Sequence, residues 1–546
     1  MNLFYSDSIF TMKAALKNCS VSASDVSATP PTVVAEILND QSAEILKLKR
    51  HVDWFNRQLF GQKSEKRMLD ENPAQGSFDD AIKATAGAGA PPADKQRTVA
   101  GHVRTLKPRG HEGDETASAF FDESRVPFED IAVPNPAING LDPAAYTVIG
   151  EKVSFRLAQR PGSYVVLRYT RPVIKLNDTQ AISCPAAPAG VLEGSRADVS
   201  FLAGMIVDKL AYHLPLYRLH QRLQDAGFKV SRPWLTQLVQ RAATLLEPIN
   251  DAQLESIRRS RVKAMDETPI KAGRSEPGKM KNAYFWPVYG MNDEICFLYY
   301  PGRSARHVQE ALGLSPPPGS VLLTDGYSAY EAYARKSGIA HAQCWSHGRR
   351  HFEHALDIEP ERANEALDMI GGLYLIEARL REQGITGDAK RTIRQAESRP
   401  VVDRFFDWVD ERLEAGDYLP SSPLTKALGY VRERRKGLEV FLDDPDVQID
   451  TNHLERTLRA IPMGRKSWNF CWTELGARHI GIMQSLITTC KLHDINPYEY
   501  LVDVLQRVEQ HPMSRVEELT PRRWKELFAR DPLRSDLHWC TNKPVA

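Results

Sequence analysis

The sequence predicts a multidomain α/β protein, and three observations carry that prediction. Strand-like and helix-like runs alternate between Arg261 and Cys344, a long helical stretch then interrupts them, and a helix, turn, helix outline precedes them. At 546 residues the chain has room for three or four domains of ~150 residues. Its 26% charged content suits a soluble protein. Seven cysteines without a CxxC pair exclude a disulfide framework and a zinc ribbon, and fit a reducing cytosol. No apolar run approaches the ~18 residues of a membrane span, and Met1–Ser20 lacks the apolar centre of a secretion signal, so a cytoplasmic protein with no membrane partner is expected. Lys and Arg number 71 against 70 Asp and Glu, which excludes a polycation while leaving room for opposed basic and acidic surfaces.

Residues 1–33 are Ser-rich and end in Pro30-Pro31, a disordered lead-in. Over residues 34–70, Leu38, Ile45, Val52 and Leu59 recur every seven positions, with Val34, Gln41, Leu48 and Phe55 at the complementary spacing, which predicts a short self-associating coiled coil or, as the alternative, a single amphipathic helix packed on its own domain. Its basic residues, Lys47 to Arg67, form either a solvated face or a phosphate track. An Ala/Gly/Pro linker fills residues 71–118, with Arg97 to Arg109 adding more basic charge. Short alternations at Tyr146 and Ser163 predict a small β-rich module over residues 119–190. In residues 191–255, Leu216–Asp225 reads as a helix, Ala226–Val230 as a turn, and Ser231 as the cap of a second helix running through Ala243. That helix would offer Arg232, Trp234, Gln237, Gln240 and Arg241 to a DNA groove, although any helical hairpin shares the outline.

Residues 256–348 carry the chemistry. Val262–Met265 is a strand that stops at Asp266; Ala283–Tyr289 and Ile295–Tyr300 are two more around a turn; a helix at Ser304–Leu312, a strand at Ser320–Leu323 ending in Thr324-Asp325-Gly326, a helix at Ser328–Lys336 and a strand at Ile339–Cys344 follow. Three antiparallel strands, then helix, strand, helix, strand, is the order of a ribonuclease H-like fold, whose first and fourth strands are neighbours. Asp266 and Asp325 would then share one site. Paired carboxylates repel unless divalent cations lie between them, so two Mg²⁺ or Mn²⁺ ions are expected. The third ligand would be Glu455, in the helix that opens after Asp450 and Thr451. Helices at Arg349–Glu382 and Glu397–Glu414 make residues 349–448 a helical insertion; residues 449–508 complete the core and residues 509–546 form a tail. Asp443-Asp444-Pro445-Asp446 suits a helix-ending turn. Cys344 and His347 have zinc-ligand spacing without a second pair, so a helix-start role or polar support of the site is expected of them and of Arg349 and Arg350.

These stretches have a family likeness. Gln58–Lys66, Lys209–Arg218, Met265–Pro269, Thr324–Tyr327, Cys344–Phe352, Asp450–Arg459 and Gly464–Trp468, in this order and spacing, resemble the transposases of the insertion-sequence-66 family within the DDE superfamily, over about Val34 to Trp524. The resemblance implies that Asp266, Asp325 and Glu455 are the catalytic and metal-binding triad, that the insertion is a family feature, and that DNA (terminal inverted repeats and target) is the partner. Arg456, Arg459, Arg465 and Lys466 would meet phosphates and Trp468 would stack on a base. A homo-oligomer on DNA, companion proteins of the same element and a bacterial cytoplasm follow. The family's small zinc module carries two CxxC pairs; here Val133-Pro134-Asn135-Pro136 stands at the first, Ile174–Thr179 has no cysteine, and Cys184 is alone, which makes zinc doubtful. The alternatives are an inactive or regulatory DNA-binding relative and a nuclease of the same fold.

Overall fold

The computed structural model describes residues 120–121 and 126–541, except 161, 277, 278, 417, 469 and 470. The expected lead-in, coiled coil and linker, with their basic runs, lie outside the described residues. Two mixed sheets and many helices make up the rest.

The first sheet holds β1 (Phe128–Ala132), β2 (Tyr146–Arg160), β3 (Ser163–Leu176) and β4 (Ile182–Ser183). Its centre is a hairpin of 15- and 14-residue strands, longer than the short alternations in the sequence suggest. β1 joins β3 in parallel and β4 joins it antiparallel. Asn135, buried in the Val-Pro-Asn-Pro stretch, accepts the N–H of Ala137 at 3.0 Å and donates from Nδ2 to the carbonyl and hydroxyl of Ser183 at 3.4 Å. A side-chain amide thus ties β4 to the loop after β1.

Next come α1 (Val199–Leu210), α2 (Leu216–Asp225) and α3 (Arg232–Arg259). The cap at Ser231 is as expected, its Oγ accepting from Trp234 N at 3.3 Å. The helix does not stop at Ala243, however. It continues to Arg259 through Pro248, because its buried stripe from Leu235 to Ile257 holds it on the core despite the one N–H that proline removes.

The second sheet contains β5 (Val262–Met265), β6 (Thr268–Glu276), β7 (Lys279–Gly290), β8 (Ile295–Tyr300), then α4 (Ala305–Leu312), β9 (Val321–Thr324), α5 (Ser328–Ser337) and β10 (Ala340–Gln343). The strand absent from the sequence reading is β6. Its Pro269 and Gly273 obscure it, and both are tolerated because it lies at a sheet edge. Met265 pairs with Val288 and Thr268 with Phe285, so β5 and β6 run in line along β7 with a break at Asp266-Glu267. The expected neighbours are neighbours: β5 pairs with β9 in parallel, and β9 with β10.

Beyond β10 lie α6 (Trp345–Glu353), α7 (Pro360–Glu382), α8 (Gly387–Ile393), a π-helical turn at Arg394–Ser398, α9 (Arg399–Ala415), α10 (Pro423–Glu433) and α11 (Arg435–Asp443). The single helix expected over Arg349–Glu382 is two, since Pro360 disfavours helix in the residue before it. The chain returns through α12 (Asn452–Leu458), α13 (Ala460–Trp468), α14 (Glu474–Leu492), α15 (Pro497–Arg507), α16 (Pro521–Leu527) and α17 (Asp536–Thr541). The α14 helix crosses β8 so closely that a Cβ at Gly481 would come within 2.3 Å of the Phe297 carbonyl oxygen. Among the described residues no helix is long and apolar enough to cross a membrane.

Arg394 fastens the helices between α6 and α12. It is fully buried, meets the Glu377 carboxylate through Nε at 2.7 Å and Nη2 at 2.8 Å, and donates from Nη1 to the carbonyls of Phe441, Asp444 and Val447 at 2.6, 3.0 and 3.1 Å. Truncation would strand a buried carboxylate and three carbonyls. Arg394→Ala should therefore cost about 3–5 kcal/mol in urea unfolding; a loss below about 1 kcal/mol would show that this cluster carries little.

Candidate active site

The strand registers build the site. Val262 faces Val321, Lys263 faces Leu322 and Ala264 faces Leu323, so the same register continued places Asp266 beside Asp325 just past the C-terminal ends of two strands about 4.8 Å apart. The next register, Thr324 with Gln343, continues to Asp325 beside Cys344. In open α/β sheets this edge is where ligands bind. Asp266 closes on itself, its Oδ1 accepting the N–H of Glu267 at 2.7 Å. Asp325 Oδ1 accepts the N–H of Tyr327 at 2.9 Å, and its carbonyl accepts the Tyr430 hydroxyl at 2.6 Å. Gly326 turns the chain between them with φ +90°, where a Cβ would meet Arg434 Nε and Gln343 Oε1 at 2.6 Å.

Glu455 arrives from α12. Its Oε2 lies 3.6 Å from Arg350 Nη2, and its Oε1 lies 3.9 Å from His347 Nε2 while buried without a hydrogen-bond partner. Asp450, not Thr451, makes the capping contact at the start of α12, accepting the N–H of Asn452 at 3.0 Å. Thr451 instead donates from N and Oγ1 to the Cys344 sulfur, both at 3.3 Å, and Trp345 N bonds to the Ile449 carbonyl at 3.1 Å. The start of α6 and the start of α12 are thereby fixed to each other.

Electrostatics connect these groups. Burial pushes the Asp266 carboxyl up to about 7; the Glu267 N–H and His347 oppose the shift, and the charges of Asp325 and Glu267 add to it. Burial also works against charge on His347, but Cys344, Asp325 and Glu455 outweigh it and hold the imidazole above its usual value. The Cys344 thiol is pushed up by burial and drawn below its usual value by His347, Ser346 and Thr451. The sequence reading missed Glu267, whose side chain is 4% exposed and is held by Arg303 and by the Tyr330 hydroxyl at 2.5 Å, and also Tyr430 and Arg434. Only the Asp-Glu doublet signals the first; Tyr430 and Arg434 sit in an ordinary amphipathic helical stretch.

Hard carboxylate oxygens and a buried, unpartnered Glu455 Oε1 are chemically suited to a divalent cation. Among the described residues, no three His, Cys, Asp or Glu side chains already stand at metal-ligand spacing. Cys344 links to Thr451 at the start of α12 and His347 lies 3.9 Å from Glu455, while Cys184 makes a 3.6 Å contact to the Pro185 carbonyl.

The expected DNA contacts divide. Arg232, Gln237 and Arg241 are exposed on α3, Arg232 over the Tyr217 ring and Arg241 donating to the Glu193 carbonyl at 2.9 Å. Trp234 is partly buried, stacking on Phe201 at 6.0 Å and packing against the core. Arg456, Arg459 and Lys466 are exposed; Arg465 donates to the Pro269 carbonyl; Arg349 pairs with Glu353 at 2.9 Å. Trp468 is half-buried over Gly464, which limits the ring surface it can offer a base.

Because Asp266 titrates near 7 when folded and near 4 when unfolded, the unfolded chain binds fewer protons between those values, and stability falls as pH rises through that window. In the absence of divalent ions, Asp266→Asn should raise the urea midpoint at pH 8 and lose that advantage below about pH 4. An equal effect at both pH values would contradict the assignment.

Residues 194–479 match the family model described as "Transposase IS66 family", and residues 485–522 match the "IS66 C-terminal element". Two uncharacterized proteins of Sinorhizobium fredii are similar to the chain: y4hP, 27% identical over 520 residues, 89% of this chain and 90% of its own length, and y4qI, 30% identical over 398 residues, 69% and 72%. With two aspartates in one register at a sheet edge and a family model spanning more than half its length, this chain belongs to the IS66 family of transposases.

Proposed function

We propose that the protein cuts DNA at the ends of an insertion sequence and joins them to target DNA through a DDE triad of Asp266, Asp325 and Glu455. The single observation that carries the reading is the shared register of Asp266 and Asp325 at the C-terminal edge of a parallel strand pair. We read the second sheet as ribonuclease H-like: β5 with its continuation β6, β7 and β8 supply the three antiparallel strands, and β9 and β10 the two that follow. Asp266 and Asp325 would hold two Mg²⁺ or Mn²⁺ ions, with Glu455 completing the set. When bound, the ions supply positive charge that activates a water or hydroxyl oxygen and stabilises the leaving oxygen of an in-line displacement.

The chain's own residues do the rest. Hydrolysis breaks one phosphodiester at each element end and leaves a 3′-hydroxyl; that oxygen then attacks a target phosphodiester, forming one phosphorus–oxygen bond as another breaks. His347 and Arg350, 3.9 and 3.6 Å from the Glu455 carboxylate, would steady it electrostatically while it completes the set. Arg456, Arg459, Arg465 and Lys466 neutralise the phosphates flanking the cut. α2 and α3 would bind the terminal repeats through Arg232, Gln237 and Arg241, with Trp234 serving as the apolar wedge that seats α3 rather than as a reader. Two copies acting on two ends, a coiled-coil contact between them and companion proteins of the element belong to the same reading, as does a cytoplasmic, nucleoid-associated location. In the small module the reading relies on Asn135 and Ser183 as a polar link where the family's zinc cysteines are lacking.

Purified Asp266→Asn, Asp325→Asn and Glu455→Gln proteins should bind end DNA like the wild type while cleavage and strand transfer fall by on the order of a thousandfold, several kcal/mol of transition-state stabilisation. Undiminished cleavage by any two of them would remove the triad assignment.

A further inference from the structure

A second chemical feature lies beyond the carboxylates, at the far end of β6. Ala272 and Cys471 form a parallel bridge, with Cys471 N bonding to the Lys271 carbonyl at 2.9 Å and Gly273 N to the Cys471 carbonyl at 3.1 Å. That pairing presents Trp472 to solvent: 61% of it is exposed, an unusual state for the largest apolar side chain. The Arg274 guanidinium lies 4.8 Å from its ring centre. Together with Lys281, Thr473, Glu474 and Gly273 these residues line an open hollow of about 470 Å³. Lys281 pairs with Glu474 at 2.9 Å, both half-exposed, a contact worth little in water and easily exchanged for a phosphate. Among the described residues Arg274 has no carboxylate partner; its cation rests on the indole.

The path from Asp266 to this hollow is basic. Arg465 reaches the Pro269 carbonyl, Lys271 is exposed next, and Arg274 follows. Six residues of strand separate Asp266 from Ala272, roughly 20 Å at ~3.3 Å per residue. Along a DNA strand that is about six nucleotides at ~3.4 Å each.

We propose that Trp472, Arg274 and Lys281 form a nucleic-acid platform that holds an unpaired stretch of the bound DNA strand about six nucleotides from the cleaved phosphate. Trp472 stacks on a base, and the two cations meet the backbone. An exposed aromatic beside cations is the combination that single-stranded DNA selects, since every base offers a π-face whatever its sequence. The platform rests on the reading that this chain acts on DNA, but it needs neither metal nor catalysis.

The test is photo-cross-linking of the full-length protein without divalent ions. The probe is a duplex carrying an unpaired oligothymidine stretch, with 5-iododeoxyuridine placed at successive positions, and adducts are mapped by mass spectrometry. The adduct at Trp472 should peak about six nucleotides from the position that cross-links nearest Asp266. Trp472→Ala should weaken binding of the unpaired probe about tenfold or more, leave a blunt duplex within about twofold, and be largely rescued by Trp472→Phe. Arg274→Ala with Lys281→Ala should lower the salt slope on the unpaired probe by about 1.4. Adducts confined to other residues, or equal losses on both probes, would overturn the platform. Cross-linking at Trp472 by a wild-type protein that never cleaves with Mg²⁺ or Mn²⁺ would sink the transposase reading and leave the platform standing. A folded wild type that binds neither probe removes both.

Discussion

The parallel pairing of β5 with β9 is the constraint from which the rest of the site follows. Parallel strands cannot be joined by a tight turn, so Asp266 and Asp325 are brought together only after β6, β7, β8 and α4 have been laid down between them. Once the ladder forms, neighbouring positions are set to within the spacing of two strands, and both carboxylates leave the sheet at the same edge. The energetic cost appears in Asp266, whose burial and like-charged neighbour hold its proton well above the usual carboxylate range.

Glu455 is positioned by another route. The sheet does not carry it; α12 does, and α12 is positioned by contacts that start in α6. Cys344 stands in register beside Asp325, its sulfur receives Thr451, and Trp345 bonds to Ile449 and, through its indole N–H, to the Leu438 carbonyl at 2.8 Å. The Cys–Trp–Ser–His stretch therefore performs two tasks with four residues: it follows directly on the strand edge, and it fixes the start of the helix that carries Glu455.

Much of this was legible in the sequence because the relevant signals are local. Strand, acid, turn at Asp266 and Asp325, and the alternation of strands and helices from Val262 to Cys344, gave the element order and the adjacency of β5 and β9. The cap at Ser231 was equally plain. What escaped was set by tertiary packing. Edge strand β6 carries Pro269 and Gly273, which read as breakers; α3 runs past Pro248 because its buried stripe outweighs one lost hydrogen bond; Trp234 and Trp468 look like base contacts in sequence and are packed against the core in space. Nothing local announces that Tyr430, 105 positions away, donates to the Asp325 carbonyl, because a lone tyrosine on an amphipathic helix has no signature.

Arg394 has a further consequence for how this chain can change over time. Three of its five hydrogen bonds go to main-chain carbonyls, those of Phe441, Asp444 and Val447, rather than to side chains. Every amino acid offers that oxygen. The segment leading to α12 can thus drift in sequence without losing its anchor, whereas Arg394 and Glu377 can change only together. Divergence should accumulate on one side of this junction and be barred on the other, so that a large helical region can be rewritten while the segment leading to α12 keeps its anchor.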